Sequence, residues 1–323
     1  MNVLVTGGAG YIGSVCVEEL VKSGHAVTVY DNLSEGHRSA VDKRAEFVQG
    51  DLSDETRLAQ ALREAKAEVI LHFAACALVS ESMVNPGKYF RNNVASGLKL
   101  LEAAVAAGVR KFVFSSSCAV YGVPEQLPLT EELPTRPVNP YGETKLMFEK
   151  MLQWYQQIHG LEFVAFRYFN AAGAGERFGE HHRVETHLIP NVLKVALGQA
   201  PHCEIFGADY PTPDGTCIRD YIHIVDLAQA HILAMQPGRQ GCFNLGNGEG
   251  YSVREVVQTC QNVTGRPIKA LEKPRRPGDP PRLVALPEKA GKELGWSPAV
   301  PKLSDIVASA WRWHEKHPHG YPD

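Results

Sequence analysis

The chain has 323 residues, 44% of them hydrophobic and 21% charged, with a formal net charge of -3. That length is enough to bury a large core, and the near-neutral charge gives no electrostatic case for a nucleic-acid or membrane-surface partner. No apolar run reaches the length of a membrane-spanning helix, so no membrane span is expected.

The N-terminal run Met1-Asn2-Val3-Leu4-Val5 reads as the entry to a strand and lacks the charged and apolar regions of a signal peptide. Seven cysteines stand at 16, 76, 118, 203, 217, 242 and 260, with no C-x-x-C pair among them. An odd, dispersed set predicts free, mostly buried thiols in a reducing cytoplasm.

Residues 3–6 read as a strand, 11–23 as a helix and 26–30 as a second strand. Residues 46–48 and 69–73 give two more strands, and 112–115 a fifth. Between the last two, residues 98–107 form a helix with Leu98, Leu101 and Val105 at helical spacing. Strands that are apolar throughout, with helices between them, predict an α/β fold: a Rossmann-type, doubly wound parallel sheet covered on both faces.

The second half is less regular. Residues 124–140 carry five prolines and read as an extended loop ending at a helix that starts near Tyr141. Residues 161–168 form another strand, while 175–185 and 207–215 read as surface loops. Residues 274–287, with five prolines and three arginines, make a further loop. These breaks predict a cofactor-binding domain over 1–170, to which 225–247 returns, and a smaller substrate-binding lobe over most of 171–323.

The first chemical signal is the loop Thr6-Gly7-Gly8-Ala9-Gly10-Tyr11-Ile12-Gly13 between the first strand and helix. Gly7, Gly10 and Gly13 there permit a tight turn, close approach of a pyrophosphate and close packing of helix on strand. Asp31 ends the second strand, where a carboxylate accepts hydrogen bonds from a ribose diol and repels a 2′-phosphate, favouring NAD over NADP. Asp51, before Leu52, has two readings, an adenine-end ligand or the N-cap of a helix starting near Asp54. His72-Phe73-Ala74-Ala75 ends the fourth strand in small residues that let a ribose approach the backbone.

The second signal is Tyr141-Gly142-Glu143-Thr144-Lys145 downstream of Ser115-Ser116-Ser117. Tyr141 and Lys145, four apart, share one face of a helix. An ammonium beside a phenol is expected to lower the phenol's pKa toward working pH. Ser117, closing the fifth strand, sits at the carboxyl edge of the sheet and can donate to a substrate oxygen. The set reads as proton transfer coupled to hydride transfer at a carbinol carbon.

The motifs resemble the extended short-chain dehydrogenase/reductase family, most of all its UDP-glucose 4-epimerases, along the full chain. Matching segments include the glycine loop, His72-Phe73-Ala74, Asn92-Asn93-Val94, Ser115-Ser116-Ser117 with Val120-Tyr121-Gly122, and Arg167-Tyr168-Phe169-Asn170. Further matches are Arg219-Asp220-Tyr221-Ile222-His223, Asn244-Leu245-Gly246, Arg275-Arg276-Pro277-Gly278-Asp279 and the terminal His317-Pro318 with Gly320-Tyr321-Pro322-Asp323. The resemblance implies reversible inversion at C4 of a UDP-hexose through a 4-keto sugar, with NAD kept bound. Ser117, Tyr141 and Lys145 would be its catalytic residues.

For the cofactor it implies Gly7, Gly10, Tyr11, Ile12, Gly13, Asp31, Asn32, Asp51 and Leu52 around the dinucleotide. Phe73, Ala74, Ala75, Asn92, Ser115, Tyr141, Lys145 and Tyr168 would complete that site. For the UDP-sugar it implies Ser117, Tyr141, Asn170, His187, Leu188, Ile205, Phe206, Arg219, Arg276 and Asp279, with the two arginines clamping the diphosphate. A homodimer pairing residues 98–107 and 147–158 across copies is implied as well. The chain departs from the pattern at Ala77, where a Lys is common, at His187, where Asn is common, and at Leu283 in the position that gates the C2 acyl group. Preference among UDP-hexose, UDP-N-acetylhexosamine and UDP-pentose therefore stays open. A 4,6-dehydratase or reductase is the rival, but it needs acids where this chain has Cys118-Ala119. His181, His182 and His187 read as solvated loop residues, and no metal site is expected.

Overall fold

In the first half, apolar strands alternate with amphipathic helices, and the computed structural model, which describes residues 1–276 and 279–322, assembles them into one parallel sheet. Pro277, Gly278 and Asp323, quoted in two motifs above, lie outside the described residues. The strands are β1 (Asn2–Thr6), β2 (Ala26–Asp31), β3 (Glu46–Gln49), β4 (Val69–His72), β5 (Lys111–Ser117) and β6 (Glu162–Tyr168). A seventh, Gly241–Leu245, pairs in parallel with β6, giving the order Gly241–Leu245, β6, β5, β4, β1, β2, β3.

The middle positions of the central strands are apolar because helices cover both faces. In β1 the alternation of side chains sends Val3 and Val5 into one core with Val15, Leu20 and Phe243, and Leu4 into the other with Ile70, Phe112 and Phe148. Phe148, fully buried, packs its ring 4.5 Å from Phe114 and 5.9 Å from Phe112. A Cβ at Gly97 would meet Phe148 at 2.4 Å, so glycine lets the helices Gly97–Ala106 and Pro140–His159 close on each other.

The expected helix at 98–107 is Gly97–Ala106, but its apolar stripe has a different phase. The buried face is Gly97, Leu100, Leu101 and Ala104, while Leu98 is 38% exposed and Val105 half-buried. Spacing alone admits either face, and contact with Phe148 decides between them.

The later segments expected as surface loops are anchored instead. Phe178 and Glu180 within 175–185 are buried, as is Tyr210 within 207–215. Leu129, in the proline-rich 124–140 stretch, is buried and bridges to Ala285. Arg282–Leu283, inside the expected 274–287 loop, pairs in parallel with Ile218–Arg219. These short pairings, with Asn170–Ala172 beside Tyr221–His223 and Cys203–Phe206 beside Ala270–Lys273, build the part of the molecule over the sheet's carboxyl edge. Its own core gathers Ile189, Val192, Leu193, Val256, Ile306 and Val307. All seven cysteines are unpaired and four are buried. Among the described residues, no helix is long and apolar enough to cross a membrane.

Candidate active site

Strand order reverses at β1, which lies between β2 and β4. In sheets of this kind the crevice beyond the carboxyl ends at such a point is where ligands settle. The glycine loop fills its floor. Gly7 has φ +72°, and a Cβ there would meet Ala74 N at 2.5 Å; one at Gly13 would meet Gly7 O at 2.2 Å. Packing within the chain thus explains both. A Cβ at Gly10 would make only an ordinary 3.4 Å contact with Gly7 O, so the chain itself leaves room there. A bare position beside the start of helix Tyr11–Lys22, whose first turn holds no acidic residue, fits a pyrophosphate held by backbone N–H groups.

Asp31 is buried, and Oδ2 accepts from Ala9 N at 3.0 Å while Oδ1 accepts from Leu33 N at 2.8 Å. Burial raises its pKa despite these bonds. One carboxylate therefore holds both the glycine loop and its own turn. Asp51 is not the helix N-cap; Asp54 is, accepting from Arg57 N at 3.0 Å. Asp51 instead accepts from Ser53 Oγ at 2.6 Å and from Asn32 Nδ2 at 2.7 Å, joining the ends of β2 and β3. Leu52 packs into the core beneath. Phe73 N and Ala74 N both donate to Thr6 O, at 2.9 and 3.2 Å, so Phe73, Ala74 and Ala75 run beside the glycine loop. Tyr11 donates its hydroxyl to Gly173 O at 2.7 Å, and Ile12 packs partly buried against the core. Asn93, next to Asn92, is the buried amide: it accepts from Cys76 N at 2.8 Å and donates to Thr144 Oγ1 at 3.1 Å.

Asn139 starts the next helix by accepting from Gly142 N at 2.8 Å, and Pro140 occupies the first turn where no N–H is needed. This capping fixes Tyr141 and Lys145 on the face turned to β5. Ser117, whose Oγ accepts from Ala119 N at 3.2 Å, lies near enough to Tyr141 to favour its phenolate. Lys145 is buried, donates to Ser115 O at 2.6 Å and lies 5.7 Å from the Tyr141 ring centroid. The three residues expected from sequence are therefore brought together at the carboxyl end of β5.

The electrostatics differ from the sequence expectation. Burial outweighs the nearby Ser117 hydroxyl and pushes the Tyr141 phenol up to about 12. Burial also pushes the Lys145 ammonium down to about 7. A lysine near neutrality lends only part of its charge, so it does not lower the phenol by itself.

On β6, Tyr168 stands opposite Ser117 in register, with its hydroxyl 2.5 Å from His231 Nε2. Behind the site lies a network that the sequence motifs did not single out through Glu149. Glu149 accepts from Ser116 Oγ at 2.5 Å and from Arg167 Nη2 at 2.7 Å. Arg167 Nη1 donates to Tyr121 OH at 2.9 Å, which donates to Asn244 Oδ1 at 2.7 Å. The signal available was Glu149's place four residues after Lys145 on the same helix face.

Over the crevice, Asn170 Nδ2 donates to Asp220 O at 2.8 Å, and Arg219 Nη2 pairs with Asp279 Oδ1 at 3.2 Å. Asp220, fully buried, accepts from Asn247 N, Gly248 N and Ala285 N at 2.8, 3.0 and 3.1 Å, and burial still lifts its carboxyl to about 6. Arg276 lies 3.9 Å over the Phe206 ring, next to buried Ile205. Leu283 packs with Tyr121 and Phe169, and Ala77 is exposed. Leu188 opens the helix Leu188–Ala196, but the ring of His187 turns away to Glu180 and Glu185, at 3.0 and 2.9 Å. Cys118, at the position where the rival chemistry needs an acid, has its thiol pushed up to about 12 by burial.

Known proteins place this geometry. The chain is similar to a UDP-glucose 4-epimerase of Halalkalibacterium halodurans, 51% identical over 99% of this chain and 98% of that one. A UDP-glucose 4-epimerase of Brucella ovis, solved in complex with NAD, superposes with a TM-score of 0.93 at 47% identity over 96% of this chain and 97% of that one. That of Bifidobacterium longum, in complex with NAD+ and UDP, superposes with a TM-score of 0.95 at 39% identity over 99% of this chain and 100% of that one. The pattern of one family spans residues 3–246, including the sheet and the Ser117, Tyr141 and Lys145 positions, and the chain belongs to the NAD dependent epimerase/dehydratase family.

Proposed function

We propose that this chain reversibly inverts C4 of a UDP-hexose, interconverting UDP-galactose and UDP-glucose through a 4-keto sugar with NAD retained. The observation that carries the reading is Ser117, Tyr141 and Lys145 gathered beside the glycine loop in a chain about half identical to UDP-glucose 4-epimerases along its length. Bound NAD supplies the chemistry of taking a hydride from C4 and giving it back. Tyr141 takes the C4 hydroxyl proton, with Ser117 bonded to the same oxygen. Tyr141 at about 12 is a poor base alone, and Lys145 at about 7 holds a charge in reserve. Fully charged at 5.7 Å, it would lower the phenol by roughly 2 pKa units at an effective dielectric constant of about 20. The same lysine returns the phenol to its acid form when it discharges, so proton removal and return use one pair.

In this reading Gly7, Gly10, Tyr11, Ile12 and Gly13 seat the pyrophosphate. Asp31, Asn32, Asp51 and Leu52 border the adenosine, and Phe73, Ala74, Ala75, Asn92, Ser115 and Tyr168 border the nicotinamide half. Arg219 and Arg276 take the UDP diphosphate, in competition with Asp279 for Arg219; Asn170, Leu188, Ile205, Phe206 and Asp279 hold the rest of the nucleotide. The cofactor-binding part is 1–170 with 225–247, and most of 171–323 is the substrate lobe. Exposed Leu98, Trp154 and Ile158 on the adjoining helices suit a homodimer, and unpaired cysteines suit the cytoplasm.

The purified protein, given UDP-galactose and no added nicotinamide, is expected to form UDP-glucose, followed by NMR. Tyr141→Phe should slow this by about 10²–10⁴-fold. Water loss or net reduction of the sugar, or full activity in the variant, would overturn the reading.

A further inference from the structure

Three side chains that this chemistry does not use converge with His187, which the resemblance offers to the UDP-sugar, just before the helix Leu188–Ala196. Glu180, His182, Glu185 and His187 place their ligand atoms within 4.8 Å of one another, as the one such group among the described residues. His187 Nδ1 is 3.0 Å from Glu180 Oε1 and 2.9 Å from Glu185 Oε1. His182 Nδ1 is 3.5 Å from Glu180 Oε1 and 3.1 Å from Glu185 Oε2. Around a four-coordinate zinc with bonds of about 2.0–2.1 Å, tetrahedral ligand atoms lie about 3.3–3.4 Å apart. With one oxygen taken from each glutamate, separations of 2.9, 3.0 and 3.5 Å bracket that value within a group that spans 4.8 Å.

A second observation points the same way. Glu180 is 4% exposed, and its buried Oε1, the atom aimed into the group, has His187 Nδ1 and His182 Nδ1 at 3.0 and 3.5 Å but makes no well-aligned hydrogen bond among the described residues. Leaving a buried carboxylate oxygen without a well-aligned donor is costly, and a cation removes the cost. A protonated His187 between the carboxylates is the simpler alternative. It balances only one of two negative charges, however, and leaves His182 only a hydrogen bond to Glu185 Oε2 at 3.1 Å. Two carboxylates and two neutral imidazoles balance a dication. The mixed nitrogen and oxygen set suits zinc and disfavours calcium or magnesium, which take oxygen ligands.

We propose that Glu180, His182, Glu185 and His187 form a closed, four-ligand site for a divalent transition-metal ion of the zinc type. By sequence these histidines read as solvated, with no carboxylate–histidine spacing against it; the fold instead draws Glu-x-His-x-x-Glu-x-His over 180–187 together, its ligands in one short stretch, so chelation orders little chain. The site is structural. His182 meets the Tyr11 ring edge-on, with centroids 6.0 Å apart at 88°, and His187 directly precedes the helix that begins with Leu188. An ion here ties the helix after the glycine loop to the segment leading to Leu188, and it leaves His187 no free nitrogen lone pair at Nδ1 for a nucleotide.

The test is made on the full-length protein. After growth with zinc and exhaustive dialysis, elemental analysis is expected to find close to one zinc per chain. Chelator-stripped protein reloaded with one equivalent of Co2+ is expected to show visible d–d absorption of four-coordinate intensity. His182→Ala and Glu180→Gln, checked for folding by circular dichroism, should weaken cobalt binding by more than about tenfold. Absence of both zinc and the cobalt bands in the wild type overturns the site. Equal cobalt binding by wild type and folded variants overturns it too, because the ion would then be adventitious. Should either variant not fold, the wild-type cobalt spectrum alone decides, since weak six-coordinate absorption is incompatible with this ligand set.

Discussion

Replacing Lys145 by Met should make the protein more stable and less active at once. Lys145 is 3% exposed, and burial lowers its ammonium from 10.5 to about 7. The folded state therefore binds fewer protons than the unfolded chain between about pH 7 and 10.5, and native stability rises with pH across that window. At pH 7 the penalty carried by Lys145 is roughly 4 kcal/mol. Met removes it but loses the 2.6 Å hydrogen bond to Ser115 O, a loss of about 1 kcal/mol. A net gain of about 2–3 kcal/mol is expected in urea unfolding at pH 7 of protein stripped of nucleotide, and the gain should vanish as pH approaches the unfolded lysine pKa. In the loaded enzyme the same change removes a charge 5.7 Å from the Tyr141 ring, worth about 3 kcal/mol at an effective dielectric constant of about 20. Turnover should fall roughly 100-fold, and the rising limb of the kcat–pH profile should move up by about 2 units. A destabilised variant, or an unshifted pH profile, would refute this account of Lys145.

Two further perturbations probe the support around the site. Glu149→Ala strands Arg167, whose side chain is 7% exposed, and leaves Ser116 Oγ without its acceptor; a loss of about 3–5 kcal/mol is expected, and Glu149→Gln, which also leaves the guanidinium without a counter-charge, should lose most of that. Thermal unfolding checks this, and a Gln variant that melts like the wild type would show that the charge is unimportant. His72 and His231 are buried neutral, their pKa values lowered from 6.5 to about 3 and about 4 by burial. The unfolded chain protonates them first, so stability should drop as pH falls below about 6.5, by up to about 5 kcal/mol for His72 and about 3 for His231. His231→Gln should flatten part of that acid slope in urea titrations, and an unchanged slope would exclude His231 as a source.

The sheet and the gathering of Ser117, Tyr141 and Lys145 were legible in the sequence because both rest on local rules. Strands flanked by helices must be apolar on both faces, a glycine loop between strand and helix has a short-range signature, and Tyr141 and Lys145 share a helix face by spacing alone. What the tertiary structure decided depends on neighbours distant along the chain. Only packing on Phe148 selects Leu100 and Leu101 over Leu98 as the buried face. Only burial, a property of the assembled site, sends Tyr141 up and Lys145 down, opposite to what the bare pair suggests for the phenol. The Glu149–Arg167 pair joins residues 18 apart on different elements. The second half was least readable, because its short strands pair across long separations and Glu180 and Glu185 acquire meaning only once the fold buries them beside His182 and His187. Periodicity is written along the chain, whereas desolvation and cross-chain partners exist only after it has folded.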